Sequence, residues 1–469
     1  MDYSYRSRSW IIPIVVGVGI WFTPVPDGLK PQAWHLFAIF AGTILGFILQ
    51  PLPIGALSII SIVVAGLTNT LKINEGLSGF SNAAIWLIVA AFLFSRGFIK
   101  TGLGKRIAYS LIKAVGSSSL KLSYALVLSD LILSPATPSN TARAGGVIFP
   151  ITKSLASAFG SEPGSTARKI GAYLIQVIYQ GNTITSAMFM TSMAGNTLVA
   201  SLIAESFGME MTWGMWAMAA IVPGIVALIV MPFILYKVYP PELKDTRDIQ
   251  KMIGKELADL GPMSYGEKVM LGVFILSLIL WATGQFTHIN ATVVALLGVS
   301  ILLVTKVLEW KDVTEEKGGW DTLIWMGTMM ALASFLTKLG FIPWFAKIVG
   351  AQVAGTSWFV AFLILVLVYT YSHYLFASLT VHISAMYVVF VAVAISAGAP
   401  PYLAMLALAF FSNLCMSLTH YAAGPSPVCF NAGYVPQNTW WRLGFMASVI
   451  NLVIWLGIGS VWWKVLGLW

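Results

Sequence analysis

Leu133-Ser134-Pro135-Ala136-Thr137-Pro138-Ser139-Asn140-Thr141 is the stretch on which the reading of this 469-residue chain turns. Two prolines and five hydroxyl or amide residues crowd it, so no uninterrupted helix runs through it. Yet apolar runs flank it, residues 122–134 before and 144–159 after. Broken backbone between such runs is tolerated at membrane depth only where it is buried in protein or lines a cavity. The same signal returns at Tyr371-Ser372-His373 through Ser378-Leu379-Thr380-Val381-His382. Ser139 and Thr141 match Ser378 and Thr380 at an offset of 239 residues (378 − 139), which is also the offset between Ile85-Trp86 and Ile324-Trp325 (325 − 86). Arg143 falls opposite His382, and Lys100-Thr101-Gly102 opposite Lys338-Leu339-Gly340 with a one-residue slip. More loosely, Thr185-Ser186-Ala187 to Asn196 lies opposite Thr419-His420-Tyr421 to Pro427. Polar residues recurring in order at one offset mark an internal duplication.

Composition places the duplicated unit in a bilayer. The chain is 58% hydrophobic and 10% charged, against about 25% charged in soluble domains. Its mean hydropathy of +0.83 leaves a soluble fold no polar skin. The 18 Trp and 16 Tyr suit interfacial belts. The net charge of +9 sits in short loops between apolar runs, as the positive-inside rule expects, and forms no aromatic-interleaved patch for nucleic acid. Cys415 and Cys429 are too few for a disulfide framework or a Cys-rich metal site. No HExxH, no Gly-x-Ser-x-Gly elbow, no clustered acid pair and no phosphate-cradling Gly-Lys-Ser/Thr loop is present, so neither an enzyme nor an ATP-driven pump is expected.

The expected fold is an all-α polytopic membrane protein of about eleven transmembrane segments. Residues 1–52 form N-terminal helices outside the repeat, 53–238 a first repeat, 239–268 a charged cytoplasmic linker, and 269–469 a second repeat. The run from Trp10 to Phe22 follows Arg6 and Arg8 and lacks a small-residue cleavage site, so it reads as a retained first helix with a cytoplasmic N-terminus. Residues 102–115 and 341–349 each follow a span and precede a motif, and read as helices lying in the interface. Glu205, Glu210 and the acids of 241–267 read as solvated loop charges.

A duplicated bundle with paired interruptions is the pattern of secondary transporters, whose substrate site sits between discontinuous helices. Backbone N–H groups freed at a helix start carry partial positive charge and attract anions. Ser and Thr hydroxyls and the Asn140 amide add neutral donors. Two facing tips suit a rod-like substrate with a carboxylate at each end. Leu379 stands where an amide would match Asn140, so the first tip is expected to make more hydrogen bonds. Ser and Thr in membrane helices also commonly bond only their own backbone, Arg143 is able to snorkel to an interface, and His382, His373 and His420 are each able to sit as satisfied core histidines. Asp130 is a candidate partner for Arg143.

Ser139-Asn140-Thr141-Ala142-Arg143-Ala144-Gly145-Gly146 resembles the signature of the divalent anion:sodium symporter family. His373 to His382, the loop Tyr421-Ala422-Ala423-Gly424-Pro425-Ser426-Pro427 and the segment Trp21 to Trp34 are similar to the branch of plastid 2-oxoglutarate/malate translocators and bacterial citrate/succinate and tartrate/succinate antiporters. The resemblance covers nearly the whole chain. It implies a homodimer in an inner (plasma) membrane, with two inverted repeats, a scaffold domain, and a transport domain whose re-entrant hairpins carry the motifs and slide as an elevator. The implied substrate-binding set is Ser139, Asn140, Thr141, Ser378, Leu379, Thr380, Gly195, Asn196, Thr419, Gly424 and Pro425. Sodium-coupled members carry Ser-Asn-Thr in both halves, and Leu379 departs from that pattern. Arg143 and His382 are therefore expected to compensate substrate charge in place of sodium, with no metal or cofactor, giving exchange of C4–C5 dicarboxylates. An unpaired buried charge would make return of the empty carrier slow. A sodium-coupled symporter and an anion channel are the alternatives.

Overall fold

Many of the apolar runs begin on a capping side chain or a proline, which meets the orphan N–H groups of a helix start. The computed structural model describes residues 9–352 and 357–469; Arg6 and Arg8, which bear on the orientation of the N-terminus, lie outside the described residues. Helices α1 (Ile11–Phe22), α2 (Pro31–Leu49) and α3 (Ile54–Leu67) come first, α2 opening on Pro31. Asn82 caps α4 (Ala83–Thr101), which is followed by α5 (Leu103–Val115), and Ser118 caps α6 (Ser119–Leu133). The first motif leads through a π-helical turn into α7 (Phe149–Ala158). Then come α8 (Gly171–Met188), α9 (Ala194–Phe207) and α10 (Trp213–Val238). The linker holds α11 (Arg247–Asp259), and Ser264 opens α12 (Tyr265–Ala282) with a capping box. The second half runs through α13 (Ala291–Val304), α14 (Lys317–Lys338), α15 (Phe341–Gln352), α16 (Trp358–Ser372), α17 (Leu379–Ser396), α18 (Pro401–Leu414) and α19 (Gln437–Leu452). Among the described residues the only β pairing is an isolated bridge between Ser118 and Asp245.

The protein is an all-α polytopic membrane protein. Among the described residues nine helices are long and apolar enough to cross a bilayer, or ten if the bent pair α14–α15 is one span; about eleven were expected. The shortfall has a physical reason. α1, α3 and α13 are apolar but short, and α8 is polar because every one of its residues is buried among other helices and none meets lipid. Outward faces are apolar instead: Phe22, Val304, Val453 and Val465 are all exposed, a distribution that only lipid makes tolerable.

The order of elements is alike in the two halves. In each half a long helix (α4, α14) ends at a left-handed glycine, Gly102 at φ 75° and Gly340 at φ 92°, so the chain turns into the short helix that follows (α5, α15). At Gly340 the bend is 66°. These are the two glycines of the slipped Lys-x-Gly pair, and only glycine takes that conformation without cost. A helix, a 3₁₀ turn, an extended tip and a second helical arm follow in both halves. Packing is reciprocal: α3 of the first half lies on α14 of the second, and α13 of the second lies on α4 of the first.

One linker acid departs from expectation. Glu267 is buried, not solvated: it closes the capping box with Ser264 and pairs with Arg106 of α5 at 2.5 Å. That pair, with Arg106 also donating to the Gly261 carbonyl at 2.9 Å, ties the linker to α5.

Candidate functional site

The two motifs are helix N-caps. After the 3₁₀ turn Ser134–Ala136 the chain is extended at Thr137 and Ser139, and Ser139 Oγ accepts from the Ala142 N–H at 3.1 Å. The helical turn Asn140–Arg143 continues without a break towards α7. In the second half the 3₁₀ turn His373–Leu375 leads to extended Phe376 and Ser378, and Ser378 Oγ accepts from the Val381 N–H at 3.4 Å. Ser378 and Thr380 hydroxyls also bond each other at 3.0 Å. A serine cap takes one amide, so the first N–H groups of each arm keep no helical partner.

Both tips open into one cavity of about 150 Å³. Ser139, Asn140, Ser378, Leu379, Thr380 and Gly424 line it, which brings together six of the residues singled out by sequence. The volume is below the several hundred Å³ of a drug-sized site and suits a small anion. The Asn140 amide makes one hydrogen bond among the described residues, a weak one to Met416 Sδ at 3.6 Å, so it is the free polar donor of the first tip. Leu379 offers none. Thr141 is not on the wall but backs it: a Cβ at Gly424 would overlap Thr141 Oγ1, so the loop 421–427 touches the first tip only because residue 424 is glycine. Phe92, Pro138, Met193, Ala194, Ala377 and Ala423 complete the wall. Pro138 and Ala377 were findable as neighbours of the motifs, but an apolar Phe92 in mid-helix gives no sequence signal.

Other members of the sequence set stand behind the wall. Asn196 donates to the carbonyls of Ser186 at 2.8 Å and Phe189 at 2.9 Å, and its oxygen accepts from Asn413 at 2.7 Å. It therefore clamps the break between α8 and α9 instead of facing the cavity. Gly195 is buried beside it, its N–H on Met193 Sδ at 2.8 Å. The Thr419 carbonyl accepts from Tyr179 at 3.1 Å, and Pro425 starts the short helix Pro425–Phe430. His420 accepts from Trp441 at 3.0 Å, a satisfied structural histidine.

Arg143 is fully buried in a cage of oxygens. Its Nε donates to Asp130 at 2.8 Å, its Nη1 to the carbonyls of Thr137 at 2.8 Å and Ser192 at 2.9 Å, and its Nη2 to Ser186 Oγ at 2.9 Å and Thr185 Oγ1 at 3.4 Å. Asp130 in turn accepts from Asn182 at 3.1 Å and from Thr185. This corrects the expectation of an unpaired charge: Asp130 balances the guanidinium, because a lone buried cation would cost several kcal/mol. His382 lies one turn inside the second tip, its backbone N–H on the Ser378 carbonyl at 3.1 Å. Its ring stacks on Tyr369 with centroids 4.4 Å apart and meets Ser372 Oγ at 3.1 Å. Neither Arg143 nor His382 reaches the cavity wall.

A larger cavity, about 600 Å³, lies between the ends of α4, α9, α10, α12 and α13, with Asn82, Glu210, Trp213 and His288 on its wall. Among the described residues no Lys or Arg lines it, and Glu210 is an acid.

The family model described as the sodium:sulfate symporter transmembrane region matches residues 5–469. The chain is 55% identical, over 98% of its length and 96% of the relative, to YflS of Bacillus subtilis (strain 168), provisionally named a malate transporter. It is 48% identical, over 98% of its length and 82% of the relative, to dicarboxylate transporter 1, chloroplastic, of Spinacia oleracea. Inner membrane protein YbhI of Escherichia coli (strain K12) is 40% identical over 97% of this chain and 96% of its own. Among solved structures, MtrF of Neisseria gonorrhoeae superposes with a TM-score of 0.60 at 12% identity over 98% of this chain and 94% of its own. The YdaH transporter of Alcanivorax borkumensis gives 0.56 at 11% identity over 99% and 97%. At such identities the likeness is one of fold alone.

Proposed function

This chain belongs to the family of the sodium:sulfate symporter transmembrane region, and from that premise we propose that it exchanges C4–C5 dicarboxylates across the membrane without sodium, the two hairpin tips forming the anion site. The observation that carries the reading is the shared cavity, with Ser139 and Asn140 on one side and Ser378 and Thr380 on the other. The relatives named for dicarboxylates and malate support the substrate class.

Sodium independence rests on the Arg143 cage. Two carbonyls, two hydroxyls and a carboxylate are the oxygen donors a small hard cation takes, and here a guanidinium takes them. Arg143 thus polarises the Thr137 carbonyl two residues before Ser139 and holds the first tip in register. His382 has the matching place in the repeat. Since Arg143 is balanced by Asp130, strict exchange has another cause: without an anion, the Asn140 amide and the free tip N–H groups would cross the bilayer unmatched. Each such group costs about 2–7 kcal/mol, so empty return is slow. Alternating access follows the elevator of the resembled branch, in a homodimer with inverted repeats.

The test uses protein reconstituted in liposomes with and without internal malate, in sodium or choline buffer. Labelled dicarboxylate enters malate-loaded vesicles equally in both buffers and does not accumulate in empty ones. Sodium-driven net uptake into empty vesicles refutes the exchange reading and favours the sodium-coupled symport that the family's description names. Unsaturable conductance refutes both in favour of a channel.

A further inference from the structure

Behind the second tip three soft or nitrogen ligands converge. One ring nitrogen each of His373 and His382 and the sulfur of Cys415 lie within 4.8 Å of one another, and all three side chains are wholly buried. They come from three places in the chain: the 3₁₀ turn before the tip, the arm α17, and the 3₁₀ turn after α18. The proposed exchange uses His382 by position and neither of the others.

The hydrogen bonds around the cluster prepare both rings. His373 Nε2 lies 2.9 Å from the Ala422 carbonyl. A carbonyl only accepts, so that nitrogen carries the hydrogen and Nδ1 keeps its lone pair, and Nδ1 is buried with no hydrogen-bond partner among the described residues. An imidazole fixed by a backbone carbonyl on one nitrogen and open on the other is the outer-shell arrangement of metal-ligating histidines. Ser372 donates to the Tyr369 carbonyl at 2.8 Å, which leaves its oxygen to accept from His382 Nε2 at 3.1 Å. His382 Nδ1 then turns its lone pair towards Cys415, 3.9 Å away. Besides that contact, Cys415 makes among the described residues only a long one to the Ser412 carbonyl at 3.5 Å.

We propose that His373, His382 and Cys415 form a site for one soft monovalent cation of the copper(I)/silver(I) class. Two imidazoles and a thiolate without oxygen select soft ions over magnesium, calcium or sodium. Charge selects within the soft group. Binding replaces the thiol hydrogen by a metal–sulfur bond and releases one proton, so a monovalent ion leaves the site neutral, whereas zinc leaves one uncompensated positive charge in a buried, membrane-embedded place. Trigonal ligands at bonds of about 2.0–2.3 Å stand about 3.5–4 Å apart, so atoms within 4.8 Å of one another need close by about 1.3 Å at most.

The experiment titrates the full-length purified protein with silver nitrate in chloride-free buffer, desalts it, and measures bound silver and released protons. Wild type and Cys429→Ser hold one equivalent and release one proton; Cys415→Ser holds less than a tenth of an equivalent. X-ray absorption on silver-loaded wild type, which needs no variant, shows two nitrogens and one sulfur. Retention by Cys415→Ser, loss in Cys429→Ser, a sulfur-only shell, or equal retention of zinc each overturns the proposal. None of these readouts depends on transport, so the exchange reading stands or falls apart from it.

Discussion

Replacing Arg143 by alanine is the perturbation whose consequences the structure fixes most fully. The change removes five hydrogen bonds and leaves Asp130 buried with Asn182 and Thr185 as its partners. Deleting one partner of a buried ion pair costs about 3–5 kcal/mol, because the remaining charge is stranded. Removing Asp130 as well relieves that cost, so Asp130→Ala with Arg143→Ala should fall short of the summed single losses by about 2 kcal/mol or more. The cage also makes a second demand. With the guanidinium gone, its carbonyls, hydroxyls and carboxylate are free for a small cation. Thermal unfolding in detergent, followed by tryptophan fluorescence, should show Arg143→Ala raised by sodium and not by choline, with wild type indifferent to both. Exchange by Arg143→Ala in liposomes should be lost in choline and partly restored in sodium. Wild-type stability in Arg143→Ala, or an unfolding temperature that ignores sodium, would refute the view that the guanidinium fills a cation's place.

Other outcomes follow from the cavity wall. Asn140→Leu deletes the free amide of the first tip; a hydrogen bond to a charged group contributes about 1.5–3 kcal/mol, so the substrate dissociation constant should rise about 10- to 150-fold by calorimetry. Leu379→Asn adds the missing amide and should lower that constant without creating sodium dependence, measured by the same titration in sodium and choline. Gly424→Ala drives a methyl into Thr141 Oγ1 and should slow exchange at least tenfold, about 1.4 kcal/mol, within the usual cost of overpacking; Thr141→Ala in the same protein should cost less than the two changes added. His382→Ala should abolish exchange if the residue acts at the second tip, and full activity of that variant would remove it from the mechanism.

What the linear sequence determined is what depends on short-range chemistry. Prolines and hydroxyls between apolar runs broke the backbone at residues 134–141, a repeated offset identified residues 371–382 as its partner, and a Lys-x-Gly pair marked where α4 and α14 turn. Those features are legible because a missing N–H, a left-handed glycine and an apolar run act within a few residues. Tertiary structure decided what is shared between distant segments. Only packing turned Asp130 into the counter-ion of Arg143, put the Glu267 carboxylate on Arg106, and withdrew Asn196 from the cavity to clamp a helix break. It also placed Phe92 on the wall and gathered His373, His382 and Cys415. The physical reason is that burial and partnership of a charge or lone pair are properties of the space around it, and that space is assembled from α4, α6, α8, α17 and α18, whose proximity no local pattern records.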